Sequence, residues 1–317
     1  MDKVLVTGGT GFLGSWIVRI LCNSGYKPIL LVRPGSNLNR LTGLENIEIR
    51  KVDSDLWGNS VQEISPSALI ALDWTGVGNA ARNDRSQFEN IDRIIGVAKG
   101  AMEAGVGHYI GFGSQAEVGP YNSLITEIAP TNPTTEYGRA KCHVRIQLEE
   151  LFDGSGIKFS WGRIFSTYGQ MDSPVWFIPQ MINAFATKKE FAMTKGEQNW
   201  NYLHAYDFAT AVLTLLNTNQ AQGTINIAHP KSQALVSVAK TVASKMDSVN
   251  LLKIGAVSYR DDQVFQMIPD TNKLLLLGWK PEIDLQNGLN QLIEWSLGKS
   301  SNLILSNGNV LKLPKCR

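Results

Sequence analysis

The stretch that most limits what this chain can become is its first one. Lys3-Val4-Leu5-Val6 leads straight into Thr7-Gly8-Gly9-Thr10-Gly11-Phe12-Leu13-Gly14. A helical pattern follows from Ser15 to Asn23, with Trp16, Ile17, Ile20 and Leu21 on one side. This reads as strand, glycine turn and helix, with Gly8, Gly11 and Gly14 at the spacing G-x-x-G-x-x-G. Gly8 lets the chain turn tightly off the strand, Gly11 lets a pyrophosphate approach the backbone, and Gly14 lets the helix pack close on the sheet. The helix N-terminus then offers free N–H groups and a partial positive charge to that phosphate, and Phe12 and Leu13 of the turn are candidate cofactor contacts with Gly8 and Gly11. A glycine triplet alone is an ordinary turn; flanked by a strand and an amphipathic helix, it predicts a dinucleotide site in a doubly wound α/β fold with a parallel sheet.

The next element refines the ligand. Tyr26-Lys27-Pro28-Ile29-Leu30-Leu31-Val32 reads as the second strand of a βαβ unit. Where an acidic residue would hold the ribose hydroxyls of NAD stands Arg33. A guanidinium pairs with a 2′-phosphate in fork geometry, whereas a carboxylate repels it. Arg33, with Arg40 as a second cation, therefore points to NADP; with Arg33 as a solvated loop residue, NAD remains the alternative.

A chain of 317 residues is long enough for one large or two modest domains. Hydrophobic residues at 43% and charged residues at 18% describe a globular protein, and a net charge of +2 gives no footprint for nucleic acid. Cys22, Cys142 and Cys316 form no disulfide or metal spacing, and the odd count suits a reducing cytosol. Four scattered histidines argue against a zinc site. No apolar run approaches a membrane span, and the glycine motif begins too early for a signal peptide. The expected location is cytoplasmic, with a small-molecule substrate rather than nucleic acid or membrane as partner; a homodimer is a further expectation.

Taken in order, Ile47 to Val52 alternates as a third strand and ends in Asp53-Ser54-Asp55-Leu56. There Asp55 and Leu56 are candidates for the adenine end of the cofactor, or for a plain surface turn. Ala68-Leu69-Ile70-Ala71-Leu72 is a fourth, continuously apolar strand, as a buried parallel sheet requires. It brings Leu72, a candidate cofactor contact, and then Asp73-Trp74-Thr75-Gly76 to the carboxyl edge where ligands bind. A helix is expected from about Ser86 to Glu103, and a fifth strand over His108 to Phe112 that runs into Ser114. Thr134-Thr135-Glu136 opens a capped helix carrying Tyr137 and Lys141. Those two, four residues apart, share one helix face, and Ser114 precedes Tyr137 by 23 residues. An isolated Y-x-x-x-K is a surface pair; after five strand–helix units it reads as chemistry.

These residues together resemble the extended short-chain dehydrogenases/reductases, of the NAD(P)-dependent epimerase/dehydratase type that acts on nucleotide-activated sugars. Thr7 to Gly14, Asn90, Ser114, Tyr137 with Lys141, Gly162 to Gly169, Tyr202 to Asp207 and the late Leu277-Gly278-Trp279-Lys280-Pro281 carry the resemblance, over about residues 1–298. It implies a Rossmann-type domain over 1–169, to which 203–228 return, and a smaller α/β substrate domain over 170–298. The tail, 299–317, has no assigned role. It also implies that Tyr137 is general acid or base, that Ser114 holds the reacting oxygen, and that Lys141 binds the nicotinamide ribose and lowers the Tyr137 pKa. A unit pair at about 4 Å in an effective dielectric near 20 is worth about 4 kcal/mol, enough for two to three pKa units. Gln115, Ser166 and Trp200 fall on the substrate side.

Two departures from the family pattern shape the expected activity. Sugar 4,6-dehydratases carry an Asp-Glu pair after the hydroxyl residue; Gln115 and Ala116 stand there, so dehydration is not expected. The arginine that grips the substrate diphosphate is replaced by Trp200, which is either core or a stacking surface; Lys195 or Arg260 would then supply the cation. The expectation is reduction of a 4-keto-6-deoxyhexose by NADPH. The alternatives are a 4-epimerase with bound NAD, a reductase of a non-sugar ketone, and a non-enzymatic dinucleotide sensor, which would not need Ser114, Tyr137 and Lys141 together.

Overall fold

The structure is a computed structural model that describes residues 3–78, 81–260 and 263–316. The first half runs β1 (Val4–Thr7), α1 (Phe12–Asn23), β2 (Ile29–Val32), β3 (Glu48–Lys51), α2 (Trp57–Ile64), β4 (Ala68–Ala71), α3 (Glu89–Glu103), β5 (His108–Ser114), α4 (Glu136–Phe152) and β6 (Lys158–Ile164). The second runs β7 (Ser166–Tyr168), α5 (Phe177–Ala186), β8 (Phe191–Met193), β9 (Asn199–Trp200), β10 (Tyr202–His204), α6 (Ala205–Asn217) and β11 (Gly223–Ile227). It ends with β12 (Gln233–Ala234), α7 (Leu235–Lys245), β13 (Leu252–Ile254), α8 (Asn272–Leu276), α9 (Leu285–Ser296), β14 (Asn302–Ile304) and β15 (Val310–Lys312).

Seven strands form one sheet in the order β11-β6-β5-β4-β1-β2-β3. Every neighbouring pair is parallel. The chain reverses direction across the sheet between β1 and β4, and that reversal opens a crevice at the carboxyl ends of the strands. All residues of β1, β2, β4 and β5 are buried, because helices cover both faces. On one face α1 and α6 pack Trp16, Ile17, Leu21, Phe208 and Val212 against Val4, Val6 and Leu30. On the other, α2, α3 and α4 pack Trp57, Val61, Val97 and Leu148 against Leu5, Ile29 and Leu31. The strands thus alternate their side chains between two cores. A third core, from α5, α7 and α9, gathers Ile178, Met181, Phe185, Val238, Val242 and Leu292. No helix among the described residues is long and apolar enough to cross a membrane.

The structure differs from the sequence reading in three places. The first helix starts at Phe12, not Ser15, because Gly11 takes an extended N-cap conformation and releases the next residue into the helix. The fifth strand runs on to Ser114, which pairs with Ile164, so that serine is held by the ladder itself. The tail, left without a role, folds into the β14–β15 hairpin, with Leu303, Leu311 and Leu313 joining the core beside α1. Arg19 of α1 donates to the Lys312 carbonyl at 3.4 Å, and Trp295 Nε1 to the Pro314 carbonyl at 2.7 Å.

Candidate active site

A cleft of about 860 Å³ runs along the carboxyl edge of the sheet. Its first wall is the glycine turn. Gly8 has φ +73°, and a Cβ there would stand 2.7 Å from the Asp73 amide nitrogen. A Cβ on Gly14 would collide with the Gly8 carbonyl, so only glycine lets α1 close on the turn. The Gly11 amide donates to Gly8 O at 3.0 Å, which fixes the loop. Gly8, Gly11, Phe12 and Leu13 line the cleft, and the first N–H groups of α1 there have no intrahelical acceptor. This cradle fits the pyrophosphate of a dinucleotide.

Leu72, Arg33 and Arg40 line the same cleft. Arg33 is exposed, whereas Arg40 Nε donates to the Met171 carbonyl at 2.9 Å and so braces the loop after β7. Asp55 and Leu56 lie exposed on a one-turn helix, Ser54–Leu56, and the cleft wall at that point is Trp57. Beside the turn, Asp73 accepts from Thr7 Oγ1 at 2.5 Å and from Arg93 Nε at 2.8 Å. Asn90, in α3, clasps the backbone of Thr75, accepting from its N–H at 2.8 Å and donating to its carbonyl at 3.1 Å.

Ser114, Tyr137 and Lys141 meet in the middle of the cleft. Ser114 ends β5, and Tyr137 and Lys141 stand on successive turns of α4, whose N-cap Thr135 accepts from Gly138 N at 3.1 Å. All three are buried, with the Ser114 hydroxyl beside the Tyr137 phenol. Burial pushes the Tyr137 phenol above its ordinary range, opposed by Arg82 and by the Ser114 hydroxyl. The sequence reading had the Lys141 ammonium pull that phenol down. Instead Lys141 Nζ donates to the Phe112 carbonyl at 2.8 Å and stands 3.7 Å above the Trp74 ring. It is 5.9 Å from the centre of the Tyr137 ring. Burial lowers the Lys141 ammonium itself to about 7, while Glu117 and Asp73 hold it up.

Three residues of this centre escaped sequence reasoning. Trp74 meets Tyr137 edge to face at 5.7 Å and carries Lys141 on its face. Arg82 sits with its guanidinium carbon 4.9 Å over the Tyr137 ring, and its carbonyl accepts from Tyr137 N at 2.9 Å. Glu117, fully buried, accepts from the Ser114 amide at 2.7 Å and from Trp161 Nε1 at 3.2 Å. Its carboxylate lies 3.7 Å from both Arg145 Nε and Arg163 Nε. A Cβ on Gly113 would run into Glu117 and Trp161, so glycine makes the room they fill. None of the three falls in a spaced motif; a charged residue one turn past a buried strand, as Glu117 is, was the only available signal.

On the far side, Gln115 lines the cleft with its Oε1 buried and without a hydrogen-bond partner among the described residues, and Ala116 is beside it. Trp200 is half-buried, packs against the cluster of Val118, Phe165 and Met267, and donates from Nε1 to Ser166 Oγ at 2.7 Å, so it is at once the edge of a small core and a cleft wall. Arg260 lines the cleft; Lys195 does not. Among the described residues the lining carboxyls are Asp73 and Asp172. Burial pushes Asp172 up to about 7, although it accepts from Ser173 N at 2.7 Å.

Residues 4–228 match the family model described as the NAD dependent epimerase/dehydratase family. The chain belongs to that family and is an enzyme of the NAD(P)-dependent short-chain dehydrogenase/reductase type. It is 25% identical to a putative UDP-glucose 4-epimerase of Methanocaldococcus jannaschii, over 92% of this chain and 97% of that one. It is 22% identical to a CDP-abequose synthase of Salmonella muenchen, over 92% and 97%. The UDP-glucose 4-epimerase of Thermotoga maritima, solved with UDP-glucose, superposes with a TM-score of 0.83 at 20% identity, over 92% of this chain and 97% of that one, a likeness of fold.

Proposed function

We propose that this enzyme reduces a nucleotide-activated 4-keto-6-deoxyhexose with NADPH. The observation that carries the reading is Arg33, exposed at the end of β2 on the cleft wall where a carboxylate would serve NAD. Gln115 and Ala116 support it from the other end, since neither can work as the acid or base of a dehydration.

Gly8, Gly11, Phe12 and Leu13 would hold a nicotinamide dinucleotide, which would supply the hydride, and with it the two electrons, that reduce the carbonyl carbon. Tyr137 is the proton donor: its phenolic O–H breaks as an O–H forms on the substrate oxygen, and the phenolate is then reprotonated from solvent. Burial keeps that phenol protonated at neutral pH, which is the state a reductase starts from. Ser114, anchored through its amide by Glu117, orients the same oxygen. Lys141 would hold the nicotinamide ribose, and Trp200 with Ser166 would offer a flat wall to the sugar or base.

A 4-epimerase with tightly held NAD is the second reading, supported by the names of the Methanocaldococcus and Thermotoga proteins. Titration of NADP and NAD against wild type and Arg33→Asp separates the two. The reductase reading expects wild type to prefer NADP, and the ratio of dissociation constants to shift by about 10² or more in the variant, as a charge-assisted fork becomes repulsion. A wild type that prefers NAD would overturn it in favour of the epimerase.

A further inference from the structure

The cleft holds several cations, and most of them are already engaged. Arg93 is bound to Asp73, Arg40 to the Met171 carbonyl and Lys141 to the Phe112 carbonyl. Among the described residues Arg33 and Arg82 are not, and of these two Arg82 is the one that stands over the Tyr137 ring. Its guanidinium makes no hydrogen bond or ion pair among the described residues, and its Nε is buried without an acceptor. A guanidinium carries five N–H donors, and a buried donor left without a partner costs about 1–3 kcal/mol. The Arg82 backbone is anchored at this point, since its carbonyl accepts from the Tyr137 amide at 2.9 Å. The guanidinium carbon stands 4.9 Å over the centre of the Tyr137 ring.

We propose that Arg82 is a catalytic residue whose guanidinium, standing over the Tyr137 ring, donates hydrogen bonds to the oxygen on the reacting carbon of the sugar and holds it against the Tyr137 hydroxyl. This rests on the reading of Tyr137 as the group that exchanges a proton with that oxygen, and applies to reduction and epimerisation alike. The oxygen must come within about 3 Å of the phenol for the proton to pass, which brings it within reach of donors lying over the ring. As the carbonyl becomes an alkoxide-like oxygen, negative charge gathers there, and a fixed fork of N–H groups stabilises it more than it stabilises the ground state. The same charge opposes the burial that raises the Tyr137 phenol. Arg82 thereby adds to the electrostatic pull on that phenol, while Lys141 is drawn onto Trp74 and Phe112.

The test compares wild type, Arg82→Ala and Arg82→Lys. Arg82→Ala should lower kcat by roughly 10²-fold, with KM changed far less, because the bonds strengthen in the transition state. Added guanidinium ion should restore about a tenth of the lost rate or more, tetramethylammonium ion should not, and Arg82→Lys should fall between. Binding of UDP, CDP and dTDP to the cofactor-free protein should stay within about twofold of wild type, since the diphosphate is not the group held. An unchanged kcat, a matching loss of nucleoside diphosphate binding, or a loss that neither guanidinium nor lysine repairs would overturn the proposal. If wild type reduces no keto-sugar, the same comparison runs on 4-epimerisation of UDP-glucose, so failure of the reductase reading and failure of Arg82 are separate results.

Discussion

Glu117→Gln is the substitution whose cost can be worked most fully from the structure. The carboxylate is fully buried and lies 3.7 Å from Arg163, itself 1% exposed. Glutamine keeps the shape and one acceptor, so the Ser114 amide can retain its bond. What is lost is the charge that balances Arg163. Breaking a buried pair and leaving one charge costs about 3–5 kcal/mol. Arg145 adds little, being 18% exposed and still bound to Glu149 at 2.8 Å. The low end, about 3 kcal/mol, is therefore expected, and at roughly 2 °C per kcal/mol for a chain of this size the Tm should fall by about 6 °C. Urea unfolding should show a lower midpoint at unchanged slope. Glu117 is also the first of the charges that hold the Lys141 proton, so the variant should lose that proton at a lower pH than wild type. A stability loss under about 1 kcal/mol would refute the reasoning, because it would mean the Glu117–Arg163 pair is already solvated.

Tyr137→Phe should reduce turnover at least about 10²-fold with dinucleotide binding nearly intact, checked by steady-state kinetics beside a cofactor titration; normal turnover would sink the assignment. Asp172 gives a pH dependence of stability: burial raises it from 3.8 to about 7, so the folded protein holds that proton more tightly than the unfolded chain. Its contribution is full below pH 3.8 and is lost as pH rises to about 7. Asp172→Asn should accordingly match wild type in Tm at the acid end and exceed it above neutrality. An equal Tm at both ends would show that Asp172 titrates as an ordinary surface carboxyl.

The parallel sheet was legible because buried strands such as Ala68–Ala71 announce themselves as unbroken apolar runs between glycine turns. Ser114, Tyr137 and Lys141 were legible because helix geometry converts a four-residue spacing into a shared face. What surrounds them was not. Arg82 and Trp74 reach Tyr137 from a loop on another strand, and a loop gives no period from which a contact can be read. Glu117 looks like a surface carboxylate until its partners, Arg145 and Arg163, arrive from α4 and β6. The same limit explains Lys141, whose spacing puts it near Tyr137 but cannot tell that Trp74 and the Phe112 carbonyl take its ammonium. The tail was missed for a different reason: its strands bury only Leu303 and Leu311, with Leu313 just beyond them, too few apolar positions to show a pattern.

The most direct test of the account follows the hydride. NADPH carrying deuterium at its transferable position is incubated with the enzyme and a UDP-, dTDP- or CDP-activated 4-keto-6-deoxyhexose, and the sugar product is examined by mass spectrometry. The account predicts one deuterium on the reduced carbon for each NADPH consumed, and loss of both signals in Tyr137→Phe. Product free of deuterium, with UDP-glucose converted to its 4-epimer at no net cost in cofactor, would contradict it.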